Sequence, residues 1–181
     1  MGSWPKRVFE SIGFFDEELI RDQDDEFNYR LREHGGNILL SPKIKSVYTV
    51  RSSPKALWKQ YYQYGYWKVR VLQKHPKQMR LRQFVPPVFT STLIGSLILA
   101  LFFHWGWIFL VLVAGSYLIS NLTASLITAS KKGWKQLPLL PIVYASLHLS
   151  YGLGFLVGLV KFSNRWGDKK GIVPEFIPQN V

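Results

Sequence analysis

The sequence predicts an α-rich membrane protein, in which a small polar piece of partial α/β character precedes a basic helix and two to three transmembrane helices. Three features of composition lead to this prediction. Residues 84–160 contain no carboxylate, and their Lys and Arg residues are confined to 131–135, as is typical of membrane segments. Nine of the eleven acids lie within residues 10–33. Residues 51–82, in contrast, carry nine Lys or Arg and no acid.

Length and charge restrict the class of protein. The chain has 181 residues and a formal net charge of +12, which suits one small domain with a membrane region. Because the basic run directly precedes the first apolar segment, it favours anionic lipid headgroups, and we expect no nucleic-acid partner. The chain has no cysteine, which excludes disulfides and cysteine metal sites. Residues 1–15 lack the apolar core of a secretory signal, so we expect the internal apolar segments to drive insertion.

Two helices and two short strands are predicted in the N-terminal piece. Lys6–Ile12 has the pattern of a short helix closed by Gly13, and apolar spacing predicts a second helix over residues 22–34. Residues 37–40 and 45–50 are apolar or alternating and are predicted as strands. These elements are too few to build a doubly wound sheet.

A basic aromatic helix is predicted from Pro54 to about Lys74. Ser53 suits the N-cap, Pro54 suits the first helical position, and the His75-Pro76 pair favours an end. The tyrosines and tryptophans alternate with cations, which is typical of a helix that lies in the membrane interface. The alternative is a helix packed on the soluble piece with a solvated basic face.

Three apolar segments follow, each long enough to cross a hydrocarbon core of about 30 Å. They cover residues 85–103, 107–129 and 139–160. The short connection between the first two predicts a helical hairpin. The lysines within residues 130–136 predict a cytoplasmic loop after the second.

The third apolar segment has two predicted placements. If it crosses, the cations of residues 161–170 lie outside, against the positive-inside bias, so a re-entrant or interfacial placement stays open. The spacing Gly154-x-x-x-Gly158 predicts close helix packing. We expect His148 in the same segment to be packed or hydrogen-bonded, since the histidines of the chain show no metal-ligand spacing.

Three consecutive carboxylates, Asp24, Asp25 and Glu26, begin the second predicted helix. Carboxylates in a first turn complement the helix dipole, which explains one or two of them. Three in a row, preceded by Asp22, exceed that need. Because crowded carboxylates raise the pKa of at least one member, the cluster suits a general base.

The chain resembles a known family in this region. The run from Phe9 to Leu19, followed by Asp24-Asp25-Glu26-Phe27-Asn28-Tyr29-Arg30-Leu31-Arg32 and Gly35, resembles the end of the catalytic domain in membrane-bound family 2 glycosyltransferases, which have the GT-A fold. In that family a Gly-Phe-Asp-Glu-type turn precedes an acidic pair, and an Arg lies six residues beyond the catalytic Asp. The resemblance implies that Asp24 deprotonates the acceptor hydroxyl, with Asp25 and Glu26 in support. Gln23 replaces the usual Glu, so the base stays open between Asp24 and Asp25.

A second resemblance lies in the basic helix. Gln60 to Lys68 is similar to the interface helix of family members of the succinoglycan- or exopolysaccharide-biosynthesis type. Processive relatives carry Gln-x-x-Arg-Trp here, whereas this chain has glutamines at 60 and 63 and a tryptophan at 67. The alternative for the aromatic residues is interfacial anchoring. The resemblance implies that four residues contact the acceptor: Gln60, Gln63, Trp67 and Arg30.

Four segments are predicted: residues 1–53 as the C-terminal piece of a GT-A domain, 54–83 as the interface helix, 84–161 as the transmembrane region and 162–181 as a basic tail. The resemblance implies that the nucleotide-sugar pocket and its Asp-x-Asp metal site belong to an N-terminal half without a counterpart here. Mg or Mn is expected in the full-length parent, and no metal site in this chain.

The predicted function is transfer of a sugar from a nucleotide-sugar donor to a lipid-linked or growing saccharide, in exopolysaccharide or cell-envelope glycan synthesis. The expected partners are the donor, the acceptor and membrane lipids, and the expected location is the cytoplasmic face of the inner (plasma) membrane. The isolated chain is expected to be inactive. The alternative is a non-enzymatic small membrane protein that binds anionic lipid or a partner subunit.

Overall fold

The structure is a computed structural model that describes residues 2–47, 53–169 and 171–175. Within these ranges the chain forms six α-helices joined by loops and single 3-10 turns, and it contains no β-strand. The helices are α1 (Lys6–Ile12), α2 (Gln23–Glu33), α3 (Pro54–Lys74), α4 (Val85–Phe102), α5 (His104–Lys132) and α6 (Leu140–Lys161).

The first predicted strand is wrong, and the second is wrong over the part that is described. Residues 37–40 are irregular, and Leu39 and Leu40 are 91% and 92% exposed. Residues 45–47 are also irregular, while 48–50 lie outside the described residues. A strand needs a neighbour to pair its backbone groups, and the described part of the chain supplies none.

The N-terminal piece has a small aromatic core around Phe27. This side chain is fully buried, and its ring lies 4.6 Å from that of Phe15 and 5.2 Å from that of Trp4, measured between centroids. Helix α1 ends as predicted at Gly13, whose φ is +73°. The packing of α1 and α2 around one ring fixes the direction of α2.

Helix α3 begins as the sequence predicts, because the Ser53 hydroxyl accepts a hydrogen bond from the Ala56 N–H at 3.2 Å. One face of α3 packs along α6, and glycines allow the close approach. A Cβ added at Gly154 would collide with the carbonyl oxygen of Tyr62, and one at Gly158 would lie 2.6 Å from that of Tyr66. The predicted close packing through Gly154 and Gly158 is therefore confirmed.

Helices α4 and α5 form the predicted hairpin, with Phe103 alone between them. Gly106 lies against the backbone of Leu99 and Ala100, which brings the two helices together at the tip. Helix α6 packs across this hairpin, and the predicted hydrogen bond of His148 is found with the Tyr117 hydroxyl at 3.1 Å. Three segments are long and apolar enough to cross a membrane: Leu81–Phe102, His104–Lys132 and Leu140–Lys161.

The C-terminal tail returns to the N-terminal piece. The Phe14 N–H donates to the Pro174 carbonyl at 3.0 Å, and the Glu17 N–H donates to that of Ile172 at 2.7 Å. Charged side chains surround this contact and form a cluster that we name the ion clasp. Its members are Asp16, Glu18, Arg70, Lys74, Arg165 and Asp168.

Candidate active site

The acids at the start of α2 lie in four different environments, and Asp22 is the most unusual. It occupies the N-cap position with φ +63°, a left-handed conformation that is uncommon outside glycine. Its carboxylate does not cap the helix, and its Oδ2 atom is buried without a hydrogen-bond partner among the described residues. Burial raises the pKa of Asp22 to about 6, with Lys68 opposing this shift and Asp25 adding to it.

Asp25 lies on the face of α2 that is turned towards α3. The ammonium group of Lys68 donates a hydrogen bond to its Oδ2 atom, and the Gln78 side-chain amide donates to its carbonyl oxygen at 3.0 Å. The Asp25 side chain remains 51% exposed, whereas that of Lys68 is 5% exposed. The pair therefore joins α2 to α3 while one side of the carboxylate faces solvent.

Glu26 is buried and saturated with partners. Arg30 donates two hydrogen bonds to its carboxylate, at 2.9 and 3.1 Å, and the His75 ring lies 3.0 Å away. Burial opposes the charge on Glu26, but the hydrogen bonds from His75 and Arg30 outweigh it and lower the pKa. A carboxylate held in this way supports the position of α2 and has little freedom to take a proton from a ligand.

Asp24 is exposed, as is Asp25, but unlike Asp22 and Asp25 it is not part of the lining of the cavity described below. Its carboxylate makes no hydrogen bond or ion pair within the described ranges. A general base has to reach the proton that it removes, and of the three predicted catalytic acids Asp24 is the one that is exposed without a cationic partner, since Asp25 is paired with Lys68. Its role as the base stays a prediction.

A cavity of about 490 Å³ opens between α2, α3, α4 and α6; we name it the acid cavity. Asp22 and Asp25 line one side, and the buried Tyr151 hydroxyl, which has no hydrogen-bond partner among the described residues, lies on the wall formed by α6. Two of the lining residues thus carry a buried oxygen without a hydrogen-bond partner among the described residues, and buried polar atoms of this kind are uncommon. The other lining residues are Tyr61, Tyr64, Lys68, Arg82, Gln83, Pro86, Leu147 and His148.

Two further depressions adjoin the acid cavity. An apolar groove of about 420 Å³ between α4 and α5 shares Pro86 and His148 with it. A polar cleft of about 610 Å³ shares Asp25, Arg82 and Gln83. The acid cavity therefore lies between a polar depression beside α2 and an apolar one beside the α4–α5 hairpin.

The predicted acceptor-binding residues are not gathered at one point. Gln60 donates to the Tyr64 hydroxyl at 2.7 Å, beside the acid cavity, while Gln63 accepts from Arg21 at 3.1 Å. Trp67 packs in the apolar cluster around Phe162, 5.8 Å away between ring centroids, and is not part of the cavity lining.

Arg30 is held by protein acceptors. Besides its bonds to Glu26, its guanidinium donates to the carbonyl oxygens of Ile12 and Phe14. It therefore joins the end of α1 to α2, and the acid cavity is lined by other residues.

Of the predicted site residues only Asp25 lines the acid cavity; the lining residues that sequence reasoning missed include Asp22, Lys68, Arg82 and Tyr151. A signal existed only for Asp22, which extends the acidic run. Lys68 and Arg82 looked like members of a basic face, and Tyr151 belongs to an apolar segment whose packing the sequence does not reveal.

A divalent cation is not well matched to these residues. No group of three or more His, Asp or Glu side chains suited to a metal is found within the described ranges. Among the acids near the cavity, Asp25 and Glu26 are each paired with a cationic side chain. Lysine and arginine side chains offer a metal no lone pair, so these residues do not fit a metal-assisted step.

Comparison with known proteins adds independent support for a class. The chain is 27% identical over 158 residues to the succinoglycan biosynthesis protein ExoA of Rhizobium meliloti (strain 1021), covering 87% of this chain and 46% of that protein. It is 31% identical over 163 residues to a dolichyl N-acetyl-alpha-D-glucosaminyl phosphate 3-beta-D-2,3-diacetamido-2,3-dideoxy-beta-D-glucuronosyltransferase of Methanococcus voltae, covering 86% of this chain and 44% of that protein. No family model and no solved structure matches the chain.

These two similarities support a glycosyltransferase family for the chain, in agreement with the sequence motifs. The chain spans less than half the length of both relatives.

Proposed function

We propose that the chain is the C-terminal part of a membrane-bound family 2 glycosyltransferase with a GT-A catalytic domain. In the full-length parent it transfers a sugar from a nucleotide-sugar donor to a lipid-linked or growing saccharide, in exopolysaccharide or cell-envelope glycan synthesis. One observation carries the proposal. The acidic start of α2 is held over a cavity whose other walls are the aromatic helix α3 and the apolar helices α4 and α6.

Asp24 is proposed as the general base. The acceptor hydroxyl attacks the anomeric carbon of the donor, its proton passes to the Asp24 carboxylate, and the bond from that carbon to the diphosphate breaks as the new glycosidic bond forms. The freedom of Asp24 supports this assignment, since Glu26 is saturated by Arg30 and His75 and Asp25 is paired with Lys68. Asp25 and Glu26 then support the site by fixing α2.

The acceptor is proposed to enter through the acid cavity, with its reacting hydroxyl held outside the cavity lining, where Asp24 is exposed. Hydroxyl groups of a sugar would satisfy the unpaired oxygens of Asp22 and Tyr151, and its ring would meet the tyrosines of α3. Gln60 holds the Tyr64 hydroxyl, so it orients one of these rings. The adjoining apolar groove supports the lipid-linked alternative, because a lipid chain could leave the cavity past Pro86 without entering water.

The donor and the divalent cation, Mg or Mn, are proposed to belong to the half of the parent that this chain lacks. The cation would neutralise the diphosphate as it departs. We propose that the isolated chain transfers no sugar. Its acids would supply the base that activates the acceptor, whereas the donor and the cation would be bound by the other half of the parent.

The test compares Asp24→Asn with Glu10→Gln in the full-length parent. Glu10 is a partly exposed acid of α1 and serves as the matched control. Transfer of labelled sugar by membranes should fall by about 10²–10⁴-fold for Asp24→Asn and stay unchanged for Glu10→Gln. Asp25→Asn and Asp22→Asn should lose less than Asp24→Asn. Equal activity of Asp24→Asn and the control would refute the assignment and favour a lipid- or partner-binding protein.

A further inference from the structure

Helix α6 lies across the base of the α4–α5 hairpin. The level of the base is set by Phe89, near the start of α4, whose ring stacks on that of Tyr117 at 4.2 Å between centroids. The N-terminal part of α6 contacts α5 at this level and beyond it, away from the tip. Asn121 donates to the Pro141 carbonyl at 3.1 Å.

The next contacts of α6 show that it does not run along the hairpin towards the tip. The Tyr144 hydroxyl lies 2.8 Å from that of Thr128, and Thr128 is further from the tip than Tyr117 by eleven residues, or about 16 Å of helix. The C-terminal part of α6 is also at the base. A Cβ on Gly152 would collide with Thr90, and the Phe155 ring lies 6.0 Å from Phe84, which precedes α4.

The N-terminal piece and the described part of the tail lie on one side of the hairpin. Arg165, just after α6, donates a hydrogen bond to Glu18, and the Ile172 N–H donates to Asp16 at 2.9 Å. The tail thus contacts the N-terminal piece directly. Because they are in contact, the tail and the N-terminal piece must lie on the same face of the membrane, however often the chain between them crosses the bilayer.

The start of α4 is on this face as well, since Gln78 contacts Asp25 and Arg82 lines the acid cavity beside Asp22. From here α4 would lead to the far face and α5 back. A crossing by α6 would then carry the tail to the far face, away from the N-terminal piece that it contacts. An odd number of crossings is therefore incompatible with the ion clasp.

We propose that α4 and α5 are the membrane-crossing pair and that α6 lies with α3 in the interface of one leaflet, on the side of the N-terminal piece. The 18 residues of α4 extend about 27 Å, close to the hydrocarbon core of about 30 Å and within the range of about 17–25 residues for membrane-spanning helices. The hairpin tip is apolar and exposed, with Phe102 at 75% and Trp105 at 79%. This placement holds whether or not the chain serves a transferase.

Charge agrees with this arrangement. The cations of residues 55–82, the lysines of residues 131–135 and the cations of residues 161–169 all lie on the side of the N-terminal piece. That distribution satisfies the positive-inside bias with this side cytoplasmic, and it suits a leaflet rich in anionic lipid. Three crossings would instead place the last group on the opposite side.

The absence of cysteine makes single-cysteine labelling suitable as the test. Four exposed positions report on the four parts of the chain: Ser3→Cys for the N-terminal piece, His104→Cys for the hairpin tip, Lys135→Cys for the α5–α6 loop and Lys169→Cys for the tail. Asn164→Cys is a second tail position. Each variant of the full chain is labelled with a membrane-impermeant maleimide in sealed vesicles of both orientations.

Positions 3, 135, 164 and 169 should be labelled in vesicles of one orientation, and position 104 in vesicles of the other, with at least a tenfold difference. Labelling of positions 164 and 169 together with 104 would establish three crossings and overturn the proposal. Labelling of position 104 together with position 3 would show that the hairpin does not cross, and would overturn it equally.

Discussion

The acids Asp16 and Glu18 of the ion clasp are close in sequence to Asp22 at the start of α2, yet the two regions differ in how a buried charge is compensated. In the ion clasp, Asp16 and Glu18 both contact the buried ammonium group of Lys74, and Glu18 also pairs with Arg70 at 2.8 Å. At the start of α2, Asp22 has a buried oxygen without a partner in the described part of the chain.

This difference separates residues that hold the fold from residues that face a ligand. Burial of Glu18 is outweighed by the hydrogen bonds from Arg70 and Lys74, which lower its pKa to about 2. The pKa of Asp22 moves the opposite way, to about 6, because burial dominates. A buried charge that is fully paired is structural, whereas one left unpaired beside a cavity is available to a substrate.

The largest effect is expected from Lys74→Met, which removes a cation from the ion clasp. Lys74 is 1% exposed and contacts two carboxylates, so the substitution leaves Asp16 buried without its cation. We expect a loss of about 3–5 kcal/mol in the free energy of unfolding, measured by thermal unfolding in detergent. The control is Lys55→Met, at an exposed position of the same helix. Equal melting temperatures for the two variants would show that the clasp contributes nothing to stability.

A smaller effect is expected from Gly154→Ala, which tests whether both acid groups depend on the position of α3. Its Cβ would collide with the Tyr62 carbonyl oxygen, and overpacking of this kind costs about 1–3 kcal/mol. Because α3 carries Lys68 and Lys74, its displacement should weaken both groups together. Gly95→Ala in α4, where nothing lies within 4 Å, should leave the melting temperature unchanged or raise it. A stable Gly154→Ala variant would contradict the close packing of α3 on α6.

The smallest effect is expected from Asp22→Asn, and it depends on pH. The folded pKa of Asp22, about 6, lies above its ordinary value of 3.8, so its ionisation lowers stability as pH rises from about 4 to 6. Asn also tolerates the left-handed conformation. The free energy of unfolding of the variant should therefore exceed that of the wild type by on the order of 1 kcal/mol at pH 7, after allowance for solvent screening, and by little at pH 4.

The pH dependence of stability that Glu18 contributes has the opposite sign. Its folded pKa of about 2 lies below the ordinary 4.5, so its contribution is present above pH 4.5 and is lost as pH falls towards 2. The check is the melting temperature of the wild type and of Asp22→Asn, measured at several pH values between 4 and 7. If the melting temperatures of the two proteins change with pH in the same way, Asp22 does not titrate in this range.

The sequence predicted those features of the site that depend on neighbouring residues, and it did not predict those that depend on which helices pack together. The acidic run and the base candidate Asp24 are visible in consecutive residues, and the structure leaves Asp24 exposed. The resemblance implies an acceptor contact for Trp67, yet this ring packs near Phe162. Spacing along α3 could not show which face of that helix α6 covers.

What the sequence by itself determined is the local structure: the Ser53 cap of α3, the glycine end of α1 and the three apolar helices. Capping and hydropathy depend on neighbouring residues, so they are readable without the fold. Only the tertiary structure decided the partners of the buried charges, such as Arg70 with Glu18, 52 residues apart, and the direction of α6 across the hairpin. Those features depend on which faces meet in space, and composition is the same for a helix that crosses the membrane and for one that lies in its interface.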